Sequence, residues 1–379
     1  MNFSFTDQQE NLRDRVREFA ERELAPNALV TDENGEFPYN MVKKMADMGL
    51  VGIVSPKEYG GTEMGHVARM IAIEEVSKIY PPMGFFFQAG QLGIYMLQLF
   101  GTEEQKKKHL VPLCKAEKVS CTAVTEETGG SDPSSMQTTA VREGEDYIIN
   151  GRKVFITLGA VADICCFLAK TDDTFSAFFV EKGTPGYKIG KRESHAGMRC
   201  IPVNELTFKD CRIPQSNLLG QEGRGMVAAL TVIASIGRMG AAGIALGAAR
   251  GSYEAAVKFA KKRELYGKPI INLQGLQFML ADMNVEIEAA KWLCYYAEWL
   301  LDQGKSPRDI SSDSSRAKYF SSEVAVRTSI KATQILGGYG TTAEYHVSRR
   351  LKDSIELLSA GGTQEIMRVT IGRGIMDAD

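Results

Sequence analysis

The sequence predicts an α+β protein with an N-terminal α-helical domain, a middle antiparallel β-barrel domain and a C-terminal four-helix bundle. Apolar residues recur at helical spacing up to about residue 118, short strands follow, and long helical segments return after about residue 226. The chain has 379 residues, of which 44% are hydrophobic and 24% charged, a balance typical of globular proteins. We therefore divide it into residues 1–118, 119–226 and 227–379.

Capping signals and periodicity predict that the first domain is helical. Thr6 supplies an N-cap for a helix that carries Leu12, Val16 and Phe19 on one face. Residues 102–105, Thr-Glu-Glu-Gln, match the capping-box pattern, so another helix is expected to begin there. Further helical segments are predicted at 41–49, 70–79 and 92–100.

The middle domain is predicted from short strands that are separated by turn residues. A turn at residues 143–146 precedes one strand, and Asn150-Gly151 between two apolar runs predicts a hairpin. Because no helices intervene, an antiparallel barrel or sandwich is favoured over a parallel, doubly wound sheet. The other predicted strands cover 164–168, 177–180 and 206–208.

The third domain is predicted to contain helices long enough to pack as a bundle. The weakly charged run at 225–249 is rich in Gly and Ala and is interrupted by Arg238. This composition favours a buried, closely packed helix over a membrane span, so we expect no membrane insertion. The bundle helices are predicted at 238–264, 276–303, 313–336 and 362–374.

Composition argues against several classes of function. Lys and Arg number 45 and Asp and Glu 47, and this net charge of −2 argues against nucleic-acid or polybasic membrane binding. The four histidines form no i, i+4 pair and lie at no finger spacing from a Cys pair, so no metal site is predicted. Seven cysteines without CxxC spacing, and an N-terminus without targeting character, predict a reducing, cytoplasmic location.

The glycine-rich stretches do not match a nucleotide-binding fingerprint. Neither residues 220–225 nor residues 337–340 follow a parallel-type strand with an acidic residue about 20 positions later, which argues against a nicotinamide site. The chain also lacks a GxxxxGK[ST] phosphate loop and a GxSxG nucleophile elbow. We interpret these glycines as turns and points of close helix approach.

Residues 124–132, Val-Thr-Glu-Glu-Thr-Gly-Gly-Ser-Asp, form the most informative segment. Their small side chains and hydroxyls let backbone N–H groups approach a flat ring or a diphosphate. With four further segments in order, the sequence resembles the acyl-CoA dehydrogenase flavoproteins from end to end. Those segments are Phe155-Ile-Thr157, Asp210-Cys-Arg-Ile-Pro214, Arg263-Glu-Leu-Tyr-Gly-Lys-Pro269 and Gln334-Ile-Leu-Gly-Gly-Tyr-Gly340.

The resemblance implies the family's fold, FAD as cofactor, an acyl-CoA substrate, a homotetramer and electron-transferring flavoprotein as redox partner. Thr125 would hydrogen-bond the isoalloxazine edge, and Ser131 would meet the diphosphate. The positions that match flavin contacts within one chain are Val124, Thr125, Gly130, Ser131, Phe155, Thr157 and Thr363. The positions that match contacts to a neighbouring subunit's FAD are Arg263, Tyr266, Gln274, Gln334 and Gly338. The substrate-binding matches are Arg238, Gly361 and Arg373.

The sequence departs from the family at the base that removes the α-proton. Such a weakly acidic proton needs a carboxylate within hydrogen-bond reach. The family usually places a Glu where this chain has Gly361, or in some members directly before the substrate arginine, where this chain has Gly237. The base is therefore unknown, with Gln91, Tyr95 and Glu365 as weak candidates. In the family, the N–H at the Gly361 position and a ribityl hydroxyl polarise the thioester carbonyl.

Three hypotheses about function remain open at this point. The first is a flavoenzyme for an unusual, alicyclic acyl group. Relatives that dehydrogenate cyclohexene-carboxyl-CoA use an N-terminal Asp, although the matching stretch here, residues 83–93, holds Gln88 and Gln91 and no carboxylate. The second is an enoyl-CoA reductase driven by electron-transferring flavoprotein, with Tyr95 or water as proton source. The third is a non-catalytic acyl-CoA-binding flavoprotein. Glu127-Thr128 replaces the usual Pro-Gly, so the path of the flavin loop is also open.

Overall fold

The N-terminal part of the chain is helical in the computed structural model, which describes residues 4–376. Residues 1–3 and 377–379 of the first and third predicted domains lie outside this range. The predicted N-cap at Thr6 and the predicted capping box at Thr102 are both confirmed: Thr6 Oγ1 accepts from Gln9 N at 3.3 Å, and Thr102 Oγ1 from Gln105 N at 3.2 Å. The helices are α1 (Asp7–Phe19), α2 (Ala28–Asn34), α3 (Tyr39–Asp47), α4 (His66–Ile79), α5 (Pro81–Phe100), α6 (Glu103–Gln105) and α7 (Val111–Cys114).

The middle of the chain forms one sheet of eight strands. The strands are β1 (Ser120–Ala123), β2 (Thr139–Glu143), β3 (Asp146–Thr157), β4 (Ile164–Thr171), β5 (Thr174–Glu181), β6 (Tyr187–Arg192), β7 (Val203–Pro214) and β8 (Leu218–Leu219). They are arranged in the sheet in the order β6-β7-β3-β2-β4-β5-β8, with β1 beside β4. The sheet is mixed rather than purely antiparallel, because β1 runs parallel to β4 and the β2–β3 hairpin serves as their crossover connection.

The predicted hairpin at Asn150-Gly151 is wrong. The two residues lie inside the continuous strand β3, and the register against β7 shifts between Ile149 and Gly151, which marks a β-bulge. Gly151 has φ +154°, and a Cβ there would lie 2.3 Å from Thr138 Oγ1. An Asn-Gly turn and a bulge both favour glycine, so local sequence did not distinguish them. The turn at 143–146 does form a hairpin, which pairs Glu143 with Asp146.

The C-terminal part of the chain is helical again, and its other helices pack around the long helix α9 (Arg238–Lys262). Close approach explains its glycines: a Cβ at Gly247 would lie 2.5 Å from Glu74 O of α4. The segment Gly225–Lys262 is apolar and long enough to cross a membrane, but 78% of its most apolar window is buried inside the protein. The elements are α8 (Gly225–Val232), α9 (Arg238–Lys262), β9 (Glu264–Leu265), β10 (Lys268–Pro269), α10 (Gln274–Asp302), α11 (Ser311–Leu336), α12 (Val347–Glu356) and α13 (Gln364–Met376).

Helix α12 is the one long element of this region that periodicity did not predict. Arg349, Arg350 and Asp353 are buried along it, so charged residues occupy core-facing positions that a hydrophobic pattern assigns to the surface. Met198 N donates to Asp353 Oδ1 at 2.7 Å, which ties the helix to the β domain. Burial raises the pKa of Asp353 to about 7, although Arg349 opposes that shift.

Candidate active site

The loop between β1 and β2 brings the predicted flavin-contacting residues of the β domain together. Val154 N of β3 donates to Thr125 O at 3.0 Å, which holds the loop against the strand that carries Phe155 and Thr157. A Cβ at Gly130 would lie 3.0 Å from Thr125 Oγ1, so glycine lets the loop fold back over Thr125. Val124 precedes this contact along the chain and Ser131 follows it. The loop that carries four of these residues therefore lies beside the strand that carries the other two.

A buried ion pair fixes the same loop. Lys153 Nζ lies 2.7 Å from Glu126 Oε1, and neither side chain is more than 5% exposed. Glu126 also accepts hydrogen bonds from Gln137 N at 2.6 Å and Thr138 N at 3.1 Å. Burial opposes the charged carboxylate, but these donors outweigh it and lower the pKa of Glu126. The loop is therefore held at both ends by one carboxylate.

The Glu127-Thr128 departure leaves a closed turn in the flavin loop. Gly129 N donates to Glu126 O at 3.0 Å, and Glu126 N donates to Gly129 O at 3.4 Å. Glu127 points to solvent and forms an exposed ion pair with Arg152 at 3.1 Å. Because the turn closes through backbone bonds, the loop does not need proline to fix its path.

Phe155 has an unusual backbone conformation for a bulky residue. Its φ is +56°, in the left-handed region that disfavours side chains larger than glycine, and its side chain is 61% exposed. Strain and exposure of an aromatic side chain both cost free energy, and such outliers cluster at functional sites. The exposed ring of Phe155, next to the loop between β1 and β2, is suited to packing against a flat ligand.

The other predicted flavin-contacting set lies in the C-terminal domain, mostly where its helices begin or end. Arg263 and Gly338 line a groove of about 450 Å³. Gln334 lines an adjoining groove of about 410 Å³, and both grooves include Gly337. Tyr266, at the β9–β10 turn, is 90% exposed with φ +54°, and Gln274 is exposed at the start of α10. Neither groove contains a residue of the β-domain set, so one chain does not bring the two sets into a common groove.

Arg238, the predicted substrate arginine, begins helix α9 and is buried. Its Nη1 donates to Ser311 Oγ at 3.0 Å and Ser315 Oγ at 3.2 Å on α11. Its Nε has no hydrogen-bond partner among the residues that the structure describes. Burial lowers the pKa of Arg238. The guanidinium is thus held in place by neutral groups and keeps a donor for a further acceptor.

The two positions where the family carries its base face each other. A Cβ at Gly361 would lie 3.1 Å from Gly237 O and 3.5 Å from Arg238 Cα. Gly361 has φ +69° and is followed by Gly362 at φ +108°, whereas Gly237 is helical with φ −67°. Neither position carries a carboxylate. The two predicted base positions are therefore adjacent in space, and both are glycine.

The weak base candidates are held in other roles. Gln91 accepts from Arg69 Nε at 2.6 Å and donates to Val51 O at 3.0 Å. Glu365 is exposed and lies 3.4 Å from Arg368. Tyr95 is 9% exposed, and burial raises its pKa, so its hydroxyl stays protonated at neutral pH.

The remaining two predicted residues lie on or next to α13. Thr363 Oγ1 accepts from Ile366 N at 3.3 Å and thereby caps this helix. Arg373 is exposed near the C-terminal end of the same helix.

Sequence reasoning missed a buried polar network beside Gly237. Arg69 Nη1 lies 3.0 Å from Glu298 Oε1, and both side chains are fully buried. Arg69 Nη2 donates to Ile236 O at 2.9 Å, and Gln88 Nε2 donates to Gly237 O at 3.3 Å. These contacts join residues up to 229 positions apart, so no local pattern signals them.

Comparison with known protein families shows which family the chain belongs to. The acyl-CoA dehydrogenase N-terminal, middle and C-terminal domain models match residues 6–117, 121–211 and 223–376. The chain belongs to the acyl-CoA dehydrogenase family. It is accordingly an FAD-dependent oxidoreductase that acts on the CH–CH group of an acyl-CoA, and the predicted family, fold class and cofactor are confirmed. A non-catalytic flavoprotein is therefore not retained as a hypothesis.

Curated relatives include both dehydrogenases and reductases. The chain is 41% identical to the short-chain specific acyl-CoA dehydrogenase of Clostridium acetobutylicum, with 98% of each chain covered. It is 38% identical to the cyclohex-1-ene-1-carbonyl-CoA dehydrogenase of Syntrophus aciditrophicus, with 98% of this chain and 90% of the relative covered. It is 37% identical to the 3-(aryl)acrylate reductase of Clostridium sporogenes, over 98% of this chain and 99% of the relative.

Solved structures share the whole fold. Butyryl-CoA dehydrogenase from Megasphaera elsdenii superposes with a TM-score of 0.96 at 34% identity, covering 99% of this chain and 100% of that one. A chain in a study of the electron transferring flavoprotein of Acidaminococcus fermentans superposes with a TM-score of 0.97 at 39% identity, with both chains fully covered.

The residues present fit FAD. A Cβ at Gly338 would have no atom within 4 Å, so the groove beside Arg263 is open down to the backbone. Arg263 supplies a guanidinium for phosphate, and Gln334 supplies an amide in the adjoining groove. In the β domain, Thr125 of the loop and the exposed ring of Phe155 on β3 would face the flat part of the cofactor.

Proposed function

We propose that this oxidoreductase acts on an unusual acyl group, an alicyclic or an enoyl thioester, and not on ordinary linear saturated acyl-CoAs. The observation that carries the proposal is the pair of facing glycines, Gly361 and Gly237, where relatives hold a carboxylate. General acid–base catalysis typically contributes about 10²- to 10⁴-fold, so a linear chain that needs α-proton abstraction here loses that factor. The 38% identity to a cyclohex-1-ene-1-carbonyl-CoA dehydrogenase supports an alicyclic acyl group.

In this proposal the chain binds and polarises the thioester through groups that remain in place. The Gly361 N–H donates to the thioester oxygen, and a donor in such a position typically contributes about 10²- to 10³-fold. Arg238 offers its unpartnered Nε at the substrate end of the site. Bound FAD supplies the group that accepts or donates the hydride. Thr125, Ser131 and Phe155 orient it from the β domain.

A second candidate is an enoyl-CoA reductase linked to electron-transferring flavoprotein. It is favoured by the likeness to an arylacrylate reductase and by the likeness to the chain from the flavoprotein study. Reduction needs a proton at the α carbon rather than a base. Tyr95 keeps its proton because burial raises its pKa, so its hydroxyl or a water would serve as the donor.

The same proposal includes a homotetramer in the cytoplasm. The two separated flavin-contacting sets support a site that a neighbouring copy completes. Exposed apolar side chains along α10, at 63% for Phe278, 68% for Val285 and 48% for Trp299, support burial against another copy. All seven cysteines are free and buried, in keeping with a reducing compartment.

Anaerobic flavin bleaching tests the proposal. The FAD-loaded protein is mixed with butyryl-CoA, octanoyl-CoA and cyclohex-1-enecarbonyl-CoA, whose α carbon carries no proton, and flavin absorbance is followed in time. We expect rapid bleaching by the alicyclic thioester and at least about 100-fold slower bleaching by the linear ones. Rapid bleaching by butyryl-CoA would contradict the proposal.

The reductase candidate is tested in the reverse direction. Dithionite-reduced protein is mixed with cinnamoyl-CoA or cyclohexenecarbonyl-CoA, and reoxidation of the flavin is recorded. Fast reoxidation, together with slow bleaching by every saturated thioester, would favour the reductase over the dehydrogenase. A Tyr95→Phe variant then separates the tyrosine from water as the proton source.

A further inference from the structure

Lys318 is a buried lysine with no carboxylate partner. Its side chain is fully buried on α11, and no ion pair of Lys318 occurs within residues 4–376. Its Nζ donates instead to three neutral oxygens: Leu358 O at 2.9 Å, Gly362 O at 2.7 Å and Gln364 Oε1 at 3.0 Å. All three acceptors lie on the segment 358–364, which contains Gly361.

Burying a lysine without a carboxylate partner destabilises the folded protein relative to burying a neutral side chain. A buried ammonium loses its hydration, and a carboxylate normally compensates the charge. Burial lowers the pKa of Lys318 to about 8, although Glu365 and Glu323 favour the charged form. A neutral donor such as glutamine makes two comparable hydrogen bonds without this cost. The retained charge therefore calls for a reason beyond closing a turn.

One face of helix α11 holds both halves of the thioester site. Ser311 and Ser315 accept from Arg238, and Lys318 lies seven and three positions further along, on the same face of the helix. Ser322, one turn beyond, lies 3.2 Å from Gln364 Oε1. This face therefore fixes the arginine of α9 and the loop that carries Gly361 relative to each other.

We propose that Lys318 is a positioning residue for the thioester: it sets the direction of the Gly361 N–H and adds positive charge behind the thioester oxygen. The inference rests on the proposed role of the Gly361 N–H. Leu358 O and Gly362 O lie on either side of Gly361 in the chain, so fixing both carbonyls fixes the peptide between them. Because Gly361 and Gly362 both have positive φ, this short loop needs outside contacts to hold one conformation.

The test measures how strongly the site stabilises an enolate oxygen. Acetoacetyl-CoA serves as the probe, because its enolate stacked on oxidised flavin gives a long-wavelength absorbance band. The pH dependence of this band between pH 5 and 7.5 gives the pKa of the bound probe, below the range in which Lys318 itself loses its proton. The variants are Lys318→Gln, which keeps neutral donors, and Lys318→Met, which removes donors and charge.

We expect the native protein to lower the pKa of bound acetoacetyl-CoA. Lys318→Met should weaken that effect about 10- to 100-fold in the ionisation constant, and Lys318→Gln should fall between the two. Arg316→Met removes a cation from the exposed side of the same helix and serves as the matched control. FAD content and the Kd of CoA, measured in parallel, report on general structural damage.

Two failures are distinguishable. If the native protein does not lower the pKa of the probe, the proposed role of Gly361 is wrong. If the native protein does lower it and Lys318→Met or Lys318→Gln with full FAD content behaves identically, the inference on Lys318 is wrong. If Lys318→Met loses its FAD, the native protein is compared with Lys318→Gln alone. An unchanged pKa of the bound probe in that variant would then show that the inference on Lys318 is wrong.

Discussion

Two loops of the active site are each held by a fully buried lysine, but the two lysines are compensated differently. Lys153 holds the flavin loop together with the carboxylate of Glu126 at 2.7 Å. Lys318 holds the loop around Gly361 through neutral oxygens alone. The flavin loop is thus internally charge-balanced, whereas the loop around Gly361 is held by a cation that has no compensating carboxylate.

This difference separates the two tasks that the proposed function assigns to the loops. The flavin loop combines a motif that resembles that of the family with a buried ion pair that fixes its path. The loop around Gly361, called the thioester loop below, is held by Lys318 and lies against the start of α9, but neither Gly361 nor Gly237 supplies a carboxylate. In the proposed function, binding and polarisation of a thioester are therefore separable from proton abstraction.

The largest expected effect comes from placing a carboxylate at Gly237, which faces the thioester loop. Gly237→Glu should raise the oxidation of butyryl-CoA by about 10²- to 10⁴-fold. Gly237 has helical φ, and a Cβ there meets Leu92 Cδ2 at 3.4 Å, an ordinary contact. The assay is anaerobic flavin bleaching, and Gly237→Gln is the matched control. An equally active Gln variant would show that charge is not the cause.

Gly361→Glu should produce a smaller gain than Gly237→Glu. The residue has φ +69°, so a Cβ costs about 1 kcal/mol or more in backbone strain. That Cβ would also lie 3.1 Å from Gly237 O, and Gly362 cannot absorb the turn freely because its own φ is +108°. The ratio of bleaching rates between the two variants measures this strain, and a faster Gly361→Glu would show that the loop relaxes.

Replacing Lys153 alone should destabilise the protein more than replacing Lys153 and Glu126 together. Lys153→Met leaves Glu126 buried without its cation, which typically costs about 3–5 kcal/mol. The double variant Lys153→Met with Glu126→Gln should recover most of that loss. Urea unfolding with FAD content as a second readout measures both, and equal stability of the single and double variants would contradict the assigned ion pair.

The two loops also show how much the sequence could predict. Thr6 and Thr102 were found because a capping box is written within four residues. The flavin loop and the substitution at Gly361 were found because a family motif is local as well. Lys153, Lys318 and Arg69 were missed, because their partners lie 22 to 229 positions away and only folding brings them together.

The hairpin prediction at Asn150-Gly151 is wrong for a similar reason, because the contact that decides the structure is distant in sequence. Asn150-Gly151 satisfies a turn and a bulge equally, and the pairing of β3 with the distant β7 decides between them. The buried charges of α12 likewise hide that helix from any hydrophobic pattern, because their partners come from other parts of the chain.

A moderate effect is expected where the second flavin-contacting set is weakened. Arg263→Ala removes a guanidinium from the groove beside Gly338 and should lower FAD affinity by about 1.5–3 kcal/mol. FAD retention on gel filtration and the oligomeric state are measured together, with Lys305→Ala as a control at an exposed lysine. A variant that keeps full FAD affinity would place the phosphates elsewhere and would leave the β-domain loop as the dominant contact.

The smallest expected effect concerns the pH dependence of the free energy of unfolding that Lys318 causes. The pKa of Lys318 is lowered to about 8 from an ordinary value near 10.5, so the folded protein releases its proton earlier than the unfolded chain. Unfolding therefore takes up a proton between these values, and the contribution of Lys318 to the free energy of unfolding becomes more favourable as pH rises from 8 towards 10.5. Between pH 7.5 and 9.5 the native protein should gain about 1–2 kcal/mol relative to Lys318→Met. Urea titrations of both proteins at the two pH values measure this difference, and parallel pH profiles would show that Lys318 does not titrate in this range.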